Sequence, residues 1–121
     1  MSRILVCGGR DAKDAPWIRQ SLSAHIHDGD VLIHGCALGI DSIADDWAKG
    51  RDVAVLRFRA NWDKHGKAAG PIRNQQMLDE GKPDMVIAFP GGKGTENMVK
   101  LAKRAEIFTI FARESGDYDE A

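Results

Sequence analysis

The stretch Met85-Val86-Ile87-Ala88-Phe89-Pro90-Gly91-Gly92-Lys93-Gly94-Thr95 decides the fold. Its first five residues are all apolar, the pattern of a strand buried on both faces. Pro90 to Gly94 then break the strand, and Thr95 suits the cap of a helix whose buried face is Met98, Ala102 and Ala105. A buried strand, a glycine-bearing turn and a helix in that order form the working half of a βαβ crossover.

Working outward, the same unit recurs. Ile4-Leu5-Val6-Cys7 reads as a strand, followed by a helix over 15–28 with Asp14 as its cap, Pro16 in its first turn and Gly29 at its end. Val31-Leu32-Ile33 is a second strand. A helix over about 41–49 follows, with Ile40, Ile43, Ala44, Trp47 and Ala48 on one face, and Gly50 closes it. Val53 to Leu56 with Phe58 is a third strand, and a polar loop from Ala60 to Gly70 leads to a helix opened by Pro71 and closed near Gly81. Ile107 to Phe111 is a fifth strand after the quoted one.

Apolar strands separated by helices predict an α/β fold: a doubly wound, three-layer Rossmann-like sandwich around a parallel sheet of about five strands. Right-handed crossovers give the expected order 3-2-1-4-5. Residues 1–112 form one domain, and 113–121 an acidic tail expected to be solvated and frayed.

Composition narrows the function. A chain of 121 residues has room for one domain. Its 17 Lys plus Arg nearly balance 18 Asp plus Glu. The tail takes one base and four acids, which leaves 16 bases against 14 acids in the domain. That near-balance disfavours a protein that coats nucleic acid or anionic membrane. No apolar run reaches the roughly 18 residues of a membrane helix, and Met1-Ser2-Arg3 leads straight into the first strand without a signal-peptide h-region. Cys7 and Cys36 read as free thiols of a cytoplasmic protein. His34 and Cys36 lack the second pair a metal site needs, so no metal is expected.

The 13 glycines are the compositional excess, against an average of about 7%. Nine fall in loops leaving the carboxyl ends of strands: Gly8 and Gly9, Gly35 and Gly39, Gly66 and Gly70, and Gly91, Gly92 and Gly94. Gly29, Gly50 and Gly81 read as helix terminators. Carboxyl-end loops line the ligand crevice of a parallel sheet, and glycines there let backbone N–H groups turn to a phosphate.

The run from Pro90 to Thr95 is the most specific motif; it is not a P-loop, because Gly94 separates Lys93 from Thr95. Arg10 suits a bidentate grip on a phosphate or an ion pair with Asp11. Asp41 suits either the cap of its helix or a hydrogen bond to a ribose hydroxyl. Trp62 can fold over a base or pack on the sheet edge, while Arg73 and Asn74 sit in the first turn of the next helix, facing the crevice. Trp17 and Trp47 belong to helical core faces.

Taken together, these stretches resemble the SLOG superfamily, the group of the DNA-processing protein A domain and the lonely-guy phosphoribohydrolases, and within it the YspA-like branch. The matching residues are Gly8 to Asp11, His34-Gly35 with Gly39-Ile40-Asp41, Trp62 with His65-Gly66, Ala69 to Asn74, and Ala88 to Thr95. The resemblance implies a Rossmann-like domain that binds a nucleotide or an NAD- or ADP-ribose-related ligand, in signalling or phage conflict, and that often forms homo-oligomers. It implies ligand contacts at Gly8, Gly9, Arg10, Asp11, Gly35 and Gly39. It implies others at Asp41, Trp62, Arg73, Asn74, Pro90 and Gly91, with Gly92, Gly94 and Thr95 completing the set.

Lonely-guy enzymes cleave the N-glycosidic bond of a nucleoside monophosphate, with a catalytic glutamate three residues after the threonine. That position is Met98 here. The leading expectation is therefore a sensor or sequestering protein for a nucleotide, requiring no cofactor. The alternative is an N-glycoside hydrolase whose carboxylate comes from Asp11, Asp41 or Glu96, with Asp41 and Glu96 the catalytic candidates. A DNA-binding module stands third, because no Lys/Arg run interleaves with aromatics.

Overall fold

The computed structural model describes residues 1–119. Strands β1 (Arg3–Cys7), β2 (Val31–His34), β3 (Ala54–Arg57), β4 (Met85–Ala88), β5 (Phe108–Phe111) and β6 (Tyr118–Asp119) form one sheet. Their order is β3-β2-β1-β4-β5-β6. The first five run parallel, in the order the crossovers predict, and β6 pairs antiparallel with β5. The helices are α1 (Pro16–His25), α2 (Ile40–Ala48), α3 (Trp62–His65), α4 (Ala69–Gly81) and α5 (Lys93–Arg104).

Alternation along the central strands divides the core. Ile4 and Val6 of β1 join Leu32 and Ile87 under α1 and α2, with Trp47 fully buried among them. Leu5 and Cys7 point the other way, with Ile33, Val86 and Ala88, under α4 and α5. This two-sided burial is why β1, β2 and β4 read as unbroken apolar runs. The edge strand β3 is exposed at both ends and half-buried between them. Trp17 is half-buried, its ring 5.9 Å from that of Phe89.

Several local expectations are corrected. Helix α1 ends at His25 rather than 28, and Ala15, not Asp14, is its N-cap. Asp14 is drawn off by Arg19, whose Nη2 donates to it at 2.7 Å. Gly39, not Asp41, caps α2, and Gly92, not Thr95, caps α5. Gly81 lies inside α4, and the left-handed turn after the helix falls to Lys82 at φ +50°. Glycine stands at 81 for packing: a Cβ there would sit 3.2 Å from Cδ1 of Ile33.

The expected loop 60–70 is largely helical. Asn61 caps α3 by accepting from the Lys64 N–H at 3.1 Å, and a 3-10 turn over Gly66–Ala68 leads into α4. Pro71 is the third residue of α4, still in the first turn, where its missing N–H costs no helical bond.

The tail is paired rather than frayed as far as it is described. Tyr118 and Asp119 lie beside Phe111 and Ile110, and the Tyr118 ring stacks on Phe111 at 5.2 Å. Asp117 accepts from Ser21 Oγ of α1 at 2.8 Å and lies 2.9 Å from His25 Nε2. Glu120 and Ala121 of the expected tail lie outside the described residues.

Candidate functional site

The carboxyl ends of β1, β2, β3 and β4 open onto one cavity of about 670 Å3. This is where ligands sit in open parallel sheets: the loops from β1 and β4 depart to opposite faces and leave a crevice between them.

Close packing builds its floor. Gly9 N–H donates to the Pro90 carbonyl at 2.8 Å, and the Ile40 N–H donates to the Gly9 carbonyl at 3.1 Å. These bonds tie the β1, β4 and α2 turns together. Gly8 has no room for a side chain, since a Cβ would lie 2.6 Å from Cγ1 of Ile40 and 2.8 Å from Cβ of Phe89. Gly39 adopts φ +73°, a backbone that L side chains rarely take, to start α2 directly under this turn. By contrast, a Cβ on Gly92 or Gly94 would meet nothing within 4 Å. Packing does not require glycine at these two positions, and both line the cavity at the start of α5.

The loop after β2 is held by side chains. The buried Asp41 carboxylate accepts from the Gly35 N–H at 3.2 Å and the Ala37 N–H at 3.1 Å. Burial raises the Asp41 pKa above its ordinary value, against those N–H groups and the nearby Arg73 charge, which lower it. His34, also buried, accepts the Cys36 N–H on Nδ1 at 3.0 Å, so its Nε2–H donates to Asp45 at 2.7 Å. Both ring nitrogens of His34 are thereby used, one by the loop backbone and one by Asp45 of α2, and no metal-binding group of side chains occurs among the described residues. Both cysteines are free thiols. Burial, with the Asp41 charge, pushes the Cys7 thiol far above its usual range, so it stays protonated.

Across the cavity, Arg73 donates through Nη1 to the Gly35 carbonyl and through Nε to Asn74 Oδ1 at 3.0 Å. Burial lowers its pKa, opposed by Asp41, but a guanidinium remains charged. Asn74 is buried, and its amide donates to the Gly94 carbonyl at 3.2 Å and to Asn97 Oδ1 at 2.9 Å. It clamps α4 to the start of α5 rather than standing free for a ligand.

Of the expected contacts, Gly8, Gly9, Arg10, Gly35, Asp41 and Trp62 line the cavity. So do Arg73, Asn74, Gly92, Gly94 and Thr95. Asp11, Gly39, Pro90 and Gly91 do not: Gly39 and Gly91 are spent on the turns, while Asp11 and Pro90 face solvent. Glu96 is also exposed and away from the cavity, because it follows Thr95 round α5 onto the outer face. Met98 is fully buried. Asp41 is thus the single carboxylate on the lining among the described residues.

Sequence reasoning missed three cations of the lining, Arg59, Lys67 and Lys93. With Arg10 and Arg73 they put five bases against one acid in a chain whose net charge is −1. Arg10, Arg59, Lys67 and Lys93 have no hydrogen-bond or ion-pair partner among the described residues. The available signal was the spacing of Arg59 and Lys67 about Trp62, which has no core-facing period and reads as plain loop until α3 folds it toward the crevice.

No helix among the described residues is long and apolar enough to cross a membrane. The chain is 38% identical over 120 residues to the Gene 61 protein of Mycobacterium phage D29, covering 91% of this chain and 95% of that relative. The family model described as YspA, cpYpsA-related SLOG family matches residues 2–65, which takes in β1, the buried Asp41 turn and α3. With a parallel sheet in the order such a domain requires and a crevice at its carboxyl edge, this chain belongs to the YspA, cpYpsA-related SLOG family.

Proposed function

We propose that the protein binds a nucleotide or nucleotide-derived ligand, of the ADP-ribose or NAD type, at the carboxyl edge of the sheet and acts as a sensor or sequestering protein. The observation that carries this reading is the cation-rich cavity in front of α5, whose cap and first turn bear two glycines that packing does not need. A helix start offers free N–H groups and the positive end of the helix dipole, so a phosphate placed there is held by backbone as well as by Lys93 and Arg10. Arg73, already anchored on the β2 loop, would report occupancy to that loop. No cofactor is called for, and the partner is the small molecule itself.

Thermal unfolding with AMP, ADP, ADP-ribose and NAD tests the reading. A bound ligand at a hundredfold excess over Kd adds about 2.7 kcal/mol. That corresponds to a rise in Tm on the order of 10 °C for a domain of this size. No shift with any of the four refutes it.

A second reading, hydrolysis of an N-glycosidic bond, rests on Asp41 alone, as the lining carboxylate whose pKa is raised. Its carboxylate already accepts two backbone N–H groups, and the buried Met98 occupies the place of the lonely-guy glutamate, so binding is the better supported of the two. Release of free base from AMP or ADP-ribose, followed by chromatography and lost in Asp41→Asn, would favour hydrolysis.

A further inference from the structure

The unpartnered cations of the cavity do not cluster at one point. Lys93 follows β4 and Arg10 follows β1, whereas Arg59 and Lys67 both follow β3, at the edge of the sheet. Neighbouring strands are about 4.8 Å apart, so the ends of β4 and β3 are separated by about 14 Å across three spacings. One phosphate at the start of α5 cannot also satisfy Arg59 and Lys67. Between those two cations in sequence stands Trp62, 56% exposed, its ring 3.5 Å from where a Cβ on Gly70 would be. The ring therefore lies against the first turn of α4, and Trp62 also lines the cavity. Beyond it the cavity adjoins a second depression of about 400 Å3, and Arg59, Ala60 and Trp62 line both.

Resting on the nucleotide reading above, we infer that the crevice has a second anion subsite, formed by Arg59 and Lys67 beside Trp62, and that the preferred ligand is a nucleotide phosphorylated on its nucleoside ribose as well as at its 5′ end. The 5′ phosphate or pyrophosphate lies at Gly92, Lys93 and Gly94. The base stacks on Trp62, as bases do on exposed aromatic rings. That orientation carries the nucleoside ribose to the β3 side, and a phosphate on it falls between two cations that have no other partner. The carboxylate nearest that side, Asp63, lines the second depression and not the main cavity, while Asp41 lies under the β2 loop, so within the main cavity the two cations face no acid on the β3 side.

The test compares ADP-ribose with 2′-phospho-ADP-ribose, which differ by one phosphate, by calorimetric titration at fixed salt. The phosphorylated compound is expected to bind about tenfold more tightly. In Arg59→Ala/Lys67→Ala that ratio is expected to fall to near one, whatever happens to the affinity the two ligands share. In Lys93→Ala both affinities fall and the ratio stays near ten. Arg59→Lys/Lys67→Arg keeps both charges and should keep most of the preference. A wild-type ratio near one, or a ratio that survives the double alanine variant, overturns the second subsite while leaving the nucleotide reading standing. Binding of neither compound overturns that reading and this inference with it.

Discussion

Glycine means two different things within a few residues of the same crevice. At Gly8 it is a packing requirement, with Ile40 and Phe89 where a side chain would go. At Gly92 it borders open space. Gly8→Ala is therefore expected to cost about 1–3 kcal/mol through overpacking, read as a lower denaturant midpoint at constant m. Gly92→Val should leave the unfolding free energy within about 0.5 kcal/mol of wild type and abolish the ligand-induced rise in Tm. Arg73→Ala should do both kinds of harm, since Arg73 anchors the Gly35 carbonyl and also lines the cavity. A loss of about 1–3 kcal/mol is expected from the carbonyl left without its charged donor, together with loss of binding.

At the scale of elements, Asp45 shows how the β2 loop depends on a neighbouring helix. Its carboxyl is held down at about 2, chiefly by Arg57 and then by His34. A carboxyl depressed in the folded state contributes stability that is complete above its unfolded value, about 3.9, and is lost as pH falls through the folded one. Unfolding of the wild type should therefore become easier between pH about 4 and 2, and Asp45→Asn should show a shallower acid limb in that window. The C-terminal strand makes a separate prediction. Asp117→Ala unties β6 from Ser21 and His25 of α1, at a cost of about 0.5–1.5 kcal/mol measured by denaturant unfolding.

Elements also show what was legible. The five parallel strands, their order and the four longer helices follow from apolar period and glycine stops, because buried parallel strands carry that pattern in their own residues. Strand β6 was not legible: Tyr118-Asp119 is two residues long amid acids, and the segment is held by the Phe111 ring and by Ser21 of α1, the latter far away in sequence. Helix α3 hides for a similar reason, since its four residues are held by the Asn61 cap rather than by a buried face. The caps failed where the expected side chain took another nearby partner, as Asp14 does with Arg19 and Asp41 with the Gly35 and Ala37 N–H groups. In the site, the glycines of the β1 and β4 loops could be located by sequence, but which of them serve packing and which face the cavity could not, because that depends on Ile40, Phe89 and Thr95 arriving from other elements.

For the whole molecule, the near-zero net charge conceals a local excess: five bases and one acid line the cavity at the carboxyl edge of the sheet. Attraction of an anion to that edge is screened by salt, so binding should weaken as ionic strength rises from 0.05 to 0.5 M, by about tenfold or less because the helix start holds the phosphate through uncharged N–H groups as well. The most direct measurement of the central claim is an amide chemical-shift titration of the labelled protein with ADP-ribose. Gly8, Gly9, Arg10, Gly92, Lys93 and Gly94 are expected to move together and saturate with one Kd, while the residues at the opposite, amino edge of the sheet, such as Asp30 and Asp84, stay still. Saturable shifts confined to that opposite edge, or none anywhere, would contradict it.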